Sequence, residues 1–268
     1  MTSLTDTEFG QFQRFIFEVA GITLTNAKKA LVSGRLAKRL QACQVNSYGD
    51  YFRLLISGER PQEVQTAVDL LTTNETYFFR EPKHFQFLRQ YIMSEEAPSA
   101  VRIWSAAGST GEEAYSIAML LEDCLPRQPW EVVASDISTR VLERARKGHY
   151  TMERLGGFPP GYLQRFCLKG HGEQAGTLLI ERSIRSRVRF LQVNLNAALP
   201  RLGLFDVVFL RNVMIYFNNA TKRGVVDRVL NQLKPGGYLF IGHSESLIGV
   251  NESVELVAPA VYRKPGKK

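Results

Sequence analysis

Apolar side chains recur at helical spacing through the first 70 residues of the chain. Between residues 9 and 19 they stand three or four positions apart, and polar residues able to cap a helix precede them. The same spacing predicts helices over residues 28–42, 48–56 and 63–71. The chain is therefore predicted to begin with a domain built of helices.

Beyond residue 100 the pattern changes to short apolar runs that alternate with helical segments. Strands alternating with helices are typical of an α/β domain with a mostly parallel sheet. Strands are predicted at residues 101–106, 131–136, 188–195, 205–210 and 238–242. Helices are predicted between them at residues 112–125, 138–147 and 221–233.

The alternation stops between residues 150 and 187. A Pro-Pro-Gly loop signal at 159–161 interrupts this stretch, and the apolar run at 177–180 indicates a strand. We predict an inserted antiparallel β-subdomain here. The predicted organisation is a helical domain over residues 1–73 and a second domain over residues 74–268, which contains the insert.

The composition narrows the class of protein. The chain has 268 residues and 44% hydrophobic residues, which is ordinary for a globular protein, and its net charge is +8. No apolar run approaches the roughly 20 residues that a membrane span requires, and the N-terminus lacks the layout of a signal peptide. We therefore expect a cytoplasmic protein that does not insert into membranes. The positive charge favours acidic partners: nucleic acid, anionic lipid or a protein surface rich in glutamate.

The cysteines and histidines give no sign of a cross-linked or metal-bound fold. Cys43, Cys124 and Cys167 are widely spaced and form no CxxC pair. No pair of histidines stands at ligand spacing either. The sequence therefore predicts neither a disulfide framework nor a metal site.

A glycine-containing loop at residues 106–111 lies between the first predicted strand and the helix that follows it. In a doubly wound sheet, ligands bind at the carboxyl ends of the strands, and glycine lets the backbone approach them closely. The positions of Gly108 and Gly111 do not match GxGxxG, which disfavours a dinucleotide and fits a smaller ligand such as S-adenosylmethionine. An ordinary strand–helix turn is the alternative.

Asp136 ends the second predicted strand. A carboxylate at this place is able to accept hydrogen bonds from both ribose hydroxyls of an adenosyl group. It is also suited to capping the helix that follows. Ser138 is able to take the capping role and leave Asp136 for the ligand.

Several longer runs of residues resemble one family closely. They are LTTNETYFFR at 71–80, WSAAGSTGEE at 104–113, ASDI at 134–137, RNVMIYF at 211–217 and GHSES at 242–246. Together they resemble the CheR family of chemoreceptor glutamate methyltransferases, and the resemblance covers essentially the whole chain. It implies the fold of a class I S-adenosylmethionine-dependent methyltransferase: a Rossmann-like, mostly parallel α/β sheet with a small helical N-terminal domain and an inserted antiparallel β-subdomain. The LKPGG turn at 233–237 recurs among such methyltransferases.

The resemblance also implies which residues form the site. S-adenosylmethionine is the expected cofactor, with S-adenosylhomocysteine as its product. The residues expected to bind the cofactor are Asn74, Thr76, Arg80, Glu113, Asp136, Asn194, Leu195, Arg211 and Asn212. Arg80 and Tyr216 are the expected catalytic residues, which position the acceptor carboxylate. The alternatives are a solvated arginine for Arg80 and a core aromatic for Tyr216, while His243 and Glu245 are interpreted as braces of the pocket.

The reaction that the resemblance implies is methyl transfer to a glutamate side chain. A free glutamate has a pKa of ~4.3, so it is already ionised at neutral pH and requires no general base. Catalysis is then expected from positioning and from a pocket of low polarity. Apolar walls for that pocket are expected from Phe78, Phe79, Tyr216 and Phe217.

A basic helix is expected to dock on the methylation helices of the chemoreceptor. Its charged residues are Lys28, Arg35, Lys38 and Arg39. This use follows from the resemblance more than from the charges, because a solvated helix face is the usual fate of such residues.

The insert is expected to bind a second part of the receptor. In some members of the family the β-subdomain captures the receptor's C-terminal pentapeptide by adding it as a strand. Charge for the peptide carboxylate is expected from Arg182, Arg185, Arg187 and Arg189.

Two other classes of function stay open at this point. The basic charge suggests a nucleic-acid methyltransferase, but the chain has no Asn-Pro-Pro-Tyr-like motif and no recognisable RNA-binding module, so we expect no nucleic-acid partner. A non-catalytic adaptor that keeps the fold is the other alternative. We expect the chain to be a monomer.

Overall fold

The computed structural model describes residues 3–152 and 157–266. Between residues 3 and 72 the chain forms the predicted helices, which are α1 (Asp6–Ala20), α2 (Lys29–Cys43), α3 (Tyr48–Ile56) and α4 (Pro61–Leu71). α1 begins with a capping box. In it the Thr5 hydroxyl accepts from the backbone N–H of Glu8, and the Glu8 carboxylate accepts from the backbone N–H of Thr5.

The apolar faces of these helices form a core of their own. Phe12, Ile16 and Leu36 are completely buried in it. Each contributes roughly 1.5–3 kcal/mol relative to an exposed side chain. Helical periodicity therefore predicts both the helices and the faces that they bury.

Helix α5 (Pro82–Ile92) comes next, and our sequence analysis does not predict it. Phe85, Leu88 and Ile92 are buried along its length, and it packs against α6 (Glu112–Cys124). Pro82 stands in its first turn, which is the favoured place for proline in a helix.

The remaining helices are α7 (Thr139–Lys147), α8 (Tyr162–Phe166), α9 (Arg182–Arg185) and α10 (Asn219–Leu230). The strands are β1 (Val101–Ser105), β2 (Trp130–Asp136), β3 (His149–Thr151), β4 (Cys167–Lys169), β5 (Thr177–Ile180), β6 (Val188–Gln192), β7 (Phe205–Leu210), β8 (Leu233–Ile241), β9 (Glu255–Ala258) and β10 (Val261–Arg263).

In the described residues the main sheet has seven strands in the order β6-β2-β1-β7-β8-β10-β9. The first five of these run parallel, whereas β10 is antiparallel to both β8 and β9. The predicted mostly parallel, Rossmann-like sheet is confirmed. The strand order reverses between β1 and β7, and a ligand crevice forms outside the carboxyl ends of the strands at such a point.

The sheet differs from the prediction in detail. β6 ends at Gln192 instead of residue 195, and β8 begins at Leu233 instead of residue 238. The Lys-Pro-Gly-Gly turn therefore lies inside a strand, where the pairing with β7 shifts register. The positive φ of Gly236 (+79°) accommodates this irregularity. The hairpin of β9 and β10 is not predicted by the sequence pattern.

The predicted insert is confirmed as a small antiparallel sheet in the order β3-β5-β4, although residues 153–156 of the predicted range lie outside the described residues. Asp123 of α6 attaches the insert to the main body. It accepts hydrogen bonds from Arg89 of α5 and from Tyr162 and Arg165 of α8. Helix α8 is thereby fixed against the helices that cover the large sheet.

Asp69 of α4 connects the helical domain to the second domain through hydrogen bonds. Its carboxylate accepts hydrogen bonds from the backbone N–H (3.0 Å) and the hydroxyl (2.8 Å) of Thr139, and from the N–H of Arg140 (3.3 Å). These donors belong to the first turn of α7. A residue of one domain thus satisfies helix-terminal N–H groups of the other.

Within the described ranges, no helix has both the length and the apolar character needed to cross a membrane. Cys43, Cys124 and Cys167 carry free thiols in the structure, and Cys43 is buried.

Candidate active site

A cleft of about 840 Å³ opens beside the carboxyl ends of β1, β2 and β7, where the strand order reverses. Ala20 and Ile22 of the helical domain form part of its wall. The structure brings every residue predicted for the site to this one cleft: Asn74, Thr76, Arg80, Glu113, Asp136, Asn194, Leu195, Arg211, Asn212 and Tyr216.

Asp136 is the last residue of β2 and is largely buried in the cleft lining. Its Oδ2 accepts a 3.0 Å hydrogen bond from the N–H of Ser109, and its Oδ1 accepts one of 2.9 Å from the N–H of Ser138. The hydroxyl of Ser138 caps α7, as the sequence suggested. Because a carboxylate offers about four acceptor sites, capacity remains for a ligand. Burial raises the pKa of Asp136 to about 6, although the backbone hydrogen bonds act to lower it.

The loop after β1 is tied to the segment that follows the helical domain. Ser109 has a left-handed backbone (φ +49°), and its hydroxyl donates a 3.0 Å hydrogen bond to the carbonyl oxygen of Asn74. A Cβ atom at Gly108 would lie 3.0 Å from the Ser105 hydroxyl and 3.4 Å from the Cβ of Ala134. A side chain at residue 108 would therefore crowd both neighbours and would require them to shift slightly.

The backbone around the cleft is unusually strained. In the described residues, six non-glycine residues have a positive φ, and four of them surround this site: Phe79, Glu81, Ser109 and Asn212. Such conformations cost on the order of 1–3 kcal/mol each and persist only where the surroundings impose them. At Phe79 the N–H donates a 2.9 Å hydrogen bond to the hydroxyl of Ser116, and the ring is buried.

Two of the expected apolar walls lie elsewhere. Phe78 and Phe79 are buried in the core, where both rings contact Phe158. Tyr216 and Phe217 do line the cleft. The expectation for Phe78 and Phe79 is wrong because their rings anchor the segment of residues 74–80 against the insert instead of facing the ligand.

Arg211 is the centre of a buried charge cluster. Its guanidinium lies 3.0 Å from both Glu81 Oε2 and Glu113 Oε2, and it also donates a hydrogen bond to the carbonyl oxygen of Arg80. Burial raises the pKa of Glu113, and the charge of Arg211 opposes that rise. Burial also acts on Glu81, but there Arg211 and the hydrogen bond from Asn212 prevail and lower the pKa. Arg211 therefore holds two acidic side chains and the backbone of Arg80 in fixed positions.

Arg80 has a different environment. Its side chain is half-buried, donates a 3.0 Å hydrogen bond to the carbonyl oxygen of Glu75, and lies over the ring of Tyr77. Tyr216 lines the same cleft, and burial raises the pKa of its phenol. The N–H of Thr23 donates to the carbonyl oxygen of Tyr216 at 2.8 Å, so the helical domain also holds this residue.

The amides of Asn194 and Asn212 are partly committed to other contacts. Asn194 donates a 2.6 Å hydrogen bond to the carbonyl oxygen of Val19 and accepts one from the N–H of Asn196. Asn212 donates from its side chain to Glu81 Oε1 (3.2 Å) and from its backbone to Glu245 Oε2 (2.9 Å). Glu245 thus braces the loop after β7, as expected.

Glu81 is the site residue that our sequence analysis missed. It contacts Arg211, Asn212 and His243, which lie 130 or more positions further along the chain. No spacing or periodicity links residues so far apart. The only local signal was its place between Arg80 and the first turn of α5.

The main sheet has one reversal of strand order, five parallel strands and an antiparallel pair at one edge. This topology is that of the class I S-adenosylmethionine-dependent methyltransferases. Residues 74–262 match the family model described as "CheR methyltransferase, SAM binding domain", and residues 7–72 match "CheR methyltransferase, all-alpha domain". The chain belongs to the CheR family, and the resemblance seen in the sequence is confirmed.

Curated relatives match along almost the whole chain. It is 40% identical over 263 residues to the chemotaxis protein methyltransferase of Escherichia coli (strain K12), which covers 97% of this chain and 91% of that protein. The corresponding protein of Klebsiella aerogenes is 41% identical over 264 residues, covering 97% and 90%. Chemotaxis protein methyltransferase 2 of Pseudomonas aeruginosa is 40% identical over 262 residues, covering 96% and 93%.

The cofactor is S-adenosylmethionine, and the residues of the cleft fit it. Asp136 retains acceptor capacity that two ribose hydroxyls would use. The apolar side chains of Ile137, Val193 and Leu195 line the same cleft and suit an adenine ring.

Proposed function

We propose that this chain is a chemotaxis protein methyltransferase that transfers a methyl group from S-adenosylmethionine to glutamate side-chain carboxylates of methyl-accepting chemoreceptors. The products are glutamate methyl esters and S-adenosylhomocysteine, and the modification serves sensory adaptation. The names of the curated relatives support the chemotactic role.

The observation that carries this proposal is that one arginine of the cleft, Arg211, has its charge paired, whereas the other, Arg80, does not. The charge of Arg211 is balanced by Glu81 and Glu113. Arg80 forms no ion pair with any of the described residues, and its hydrogen bond goes to a neutral carbonyl group. Its positive charge is therefore available to an acceptor that carries a carboxylate, which an arginine binds through charge-assisted hydrogen bonds.

The chemistry requires little more than positioning. S-adenosylmethionine supplies a methyl group carried on a sulfonium. The acceptor is already ionised at neutral pH, so its oxygen bonds to the methyl carbon as the carbon–sulfur bond breaks, and no proton has to be removed. Arg80 orients the acceptor, and its partial exposure keeps the pair loose enough to preserve the nucleophile. Tyr216 limits the access of water beside it, which favours a step in which opposite charges cancel.

The remaining cleft residues are assigned to the cofactor. Asp136 binds the ribose, and Leu195 lies beside the adenine. Asn194 contributes mainly by holding the chain near the adenine, because its side chain is engaged with Val19. Arg211 is a positioning residue that acts through Glu113 and the Arg80 backbone. The other residues assigned to cofactor binding are Asn74, Thr76, Glu113 and Asn212.

Two of the four residues expected to dock on the receptor have partners within the chain. Arg35 donates hydrogen bonds to the carbonyl oxygens of Leu70 and Thr72, and Arg39 binds Glu63 in an ion pair. Lys28 and Lys38 are exposed. We propose that these two lysines meet the acidic receptor helices, while Arg35 and Arg39 mainly hold α2 against α4.

Charge reversal tests this docking face. Lys38→Glu is expected to raise the KM for the receptor and to leave the affinity for S-adenosylhomocysteine unchanged. Arg201→Glu, which reverses an exposed charge in the second domain, is the matched control. Equal effects of the two substitutions would show that only the net charge matters.

Peptide capture by the insert is a separate part of the proposal. The small sheet has β3 and β4 at its edges, where a pentapeptide would be added as a strand. Of the arginines considered for its carboxylate, Arg185, Arg187 and Arg189 have partners within the chain, which leaves Arg182 exposed. Calorimetry with a receptor C-terminal peptide tests this, with the amidated peptide as control; equal binding of both would remove Arg182 from the proposal.

The proposal includes a cytoplasmic location and a monomer. The free thiols of Cys43, Cys124 and Cys167 support a reducing compartment. Light scattering of the purified chain tests the oligomeric state.

One assay separates the proposal from its alternatives. The protein is incubated with tritiated S-adenosylmethionine and either receptor-containing membranes or RNA. Base-labile label on the receptor supports glutamate methylation. Label on RNA would instead indicate a nucleic-acid methyltransferase, and cofactor binding without transfer to either acceptor would indicate an adaptor.

A further inference from the structure

His84 is a buried histidine in α5, with 1% of its surface exposed. Its polar neighbours are the carboxylate of Glu81, whose Oε2 lies 3.3 Å from Nδ1, and the backbone of Pro259. Neither contact has the geometry of a strong hydrogen bond. Such a residue calls for an explanation, and the methyl-transfer site gives none, because His84 does not line that cleft.

Two further ligand-type side chains surround this ring. Glu81 Oε2 lies 3.3 Å from His84 Nδ1 and 3.9 Å from His243 Nε2, and one potential ligand atom from each of the three residues lies within 4.8 Å of the others. Ligands about 2.1 Å from a tetrahedral zinc ion stand roughly 3.4 Å apart. The three side chains therefore need only small adjustments to share one ion.

The cluster is accessible from solvent. His84 and His243 line a groove of about 1010 Å³, together with Lys83, Glu245 and Pro259, and this groove shares no lining residue with the cofactor cleft. The side chain of His243 is 43% exposed there. An ion could enter through this groove and keep water on its open positions.

The residues behind the cluster would hold the carboxylate in place. Arg211 donates to Glu81 Oε2, while the side chain of Asn212 and the backbone N–H of His243 donate to Glu81 Oε1. Metal-binding carboxylates are commonly oriented by such hydrogen bonds. Arg211 and Lys83 oppose a cation by their charge, whereas Glu81 and Glu245 favour one.

We propose that Glu81, His84 and His243 form a binding site for a transition-metal dication, for which Zn²⁺ is the representative ion. Two imidazoles and one carboxylate suit Zn²⁺, Ni²⁺, Cu²⁺ or Fe²⁺, whereas Mg²⁺ and Ca²⁺ prefer oxygen ligands. The spacing of histidines along the sequence predicts no such site. His243 follows β8 and comes close to Glu81 and His84 only when the sheet has formed.

Zinc at this site would bear on the cofactor cleft. Glu81 would be shared between the ion and Arg211, and Arg211 also holds Glu113 and the backbone of Arg80. The ion would draw negative charge away from Arg211. This places an effector site directly behind the residues assigned to methyl transfer, but the binding itself does not depend on the proposed function.

Calorimetric titration tests the proposal without any activity measurement. The full chain, stripped with a chelator, is titrated with Zn²⁺ and separately with Mg²⁺. One equivalent of Zn²⁺ should bind, and Mg²⁺ should not. His243→Asn should weaken Zn²⁺ binding by roughly 10- to 100-fold or more, since a direct ligand matters at least as much as the groups that orient it. His171→Asn, which removes an exposed histidine of the insert, should bind as the unsubstituted chain does.

Two results of these titrations would contradict the proposal. Zn²⁺ bound by the free cysteines would survive His243→Asn, and that result would overturn the proposal. So would the absence of a one-equivalent site in the unsubstituted chain. Co²⁺ substitution adds a spectroscopic check: visible absorption bands should appear with one equivalent and should be lost in His243→Asn but kept in His171→Asn. Circular dichroism of both variants excludes unfolding as the cause of a loss.

Discussion

The side-chain amide of Asn194 donates a 2.6 Å hydrogen bond to the carbonyl oxygen of Val19. Val19 lies in α1, the first helix of the chain, whereas Asn194 follows β6 and lines the cofactor cleft. The next residue of α1, Ala20, is itself part of the cleft wall. The helical domain is thus a structural part of the cofactor site as well as the expected docking surface.

Removing this hydrogen bond should loosen that wall. Asn194→Ala is expected to lower the free energy of unfolding by about 1 kcal/mol and to weaken S-adenosylhomocysteine binding several-fold. Thermal melting with and without S-adenosylhomocysteine measures both effects. Asn251→Ala, which removes exposed hydrogen bonds with Asp227 and Ser253, is the control for ligand binding and should leave the affinity for S-adenosylhomocysteine unchanged. An unchanged ligand-induced shift in Asn194→Ala would show that the wall does not depend on this contact.

Asp136→Asn should weaken cofactor binding. The substitution removes the charge that the ribose hydroxyls are proposed to meet, and hydrogen bonds to charged groups contribute about 1.5–3 kcal/mol each. We expect a Kd for S-adenosylhomocysteine that is raised roughly 10- to 100-fold in calorimetry. Asp227→Asn, in an exposed part of α10, should bind normally. Unchanged affinity in Asp136→Asn would contradict the ribose assignment.

Cofactor affinity should depend on pH in the mildly acidic range. Burial raises the pKa of Asp136 to about 6, so the free protein protonates this group as the pH falls through that value. The ionised carboxylate is the form that accepts from two hydroxyls, and binding therefore has to displace the proton. Affinity for S-adenosylhomocysteine should be constant above pH 7 and should fall by up to about tenfold per pH unit below pH 6. Fluorescence titrations between pH 5 and 8 measure this. Asp136→Asn should remove most of the dependence, and a flat profile for the unsubstituted chain would argue against it.

Arg80→Ala should reduce methyl transfer far more than it reduces stability. The half-buried side chain contributes one hydrogen bond to the chain, so its loss should change the free energy of unfolding by less than about 1 kcal/mol. Turnover of receptor glutamate should fall roughly 10- to 100-fold, because a charge-assisted contact to the acceptor is lost. Arg80→Lys should recover only part of the rate, since lysine lacks the planar fork. Arg223→Ala serves as a surface control. A large drop in melting temperature for Arg80→Ala would identify a structural residue instead.

Arg211→Met should destabilise the fold. It leaves Glu81 and Glu113 largely buried without their cation, and breaking such a buried pair costs about 3–5 kcal/mol. Chemical denaturation measures the loss at pH 7.5, with Arg201→Met as an exposed control. The loss should be smaller at pH 5.5, because burial raises the pKa of Glu113 and a protonated Glu113 no longer requires a cation. Equal stability of both variants at pH 7.5 would show that the cluster is not held by Arg211.

The sequence predicts those parts of the site that depend on local pattern or on contiguous motifs. Asp136 follows from its position at the end of a strand, and Arg80 from the run that precedes α5. Glu81 does not follow, because its partners lie in the loops directly after β7 and β8 and become its neighbours only when the sheet forms. Arg35 and Arg39 illustrate the same limit, since helical spacing indicates that they share a basic helix but not that α4 occupies them.

The contact of Asp69 with the first turn of α7 limits how this protein is able to diversify. A helical domain from another member of the family could replace this one only if it kept an acidic residue near the end of α4 and a carbonyl group at the end of α1 placed to meet Asn194. The exposed side chains of Lys28 and Lys38 take no part in these contacts. Under the proposed docking of receptor helices, a change of specificity would therefore come from side chains on the outer faces of the helices, while the contacts between the two domains stay unaltered.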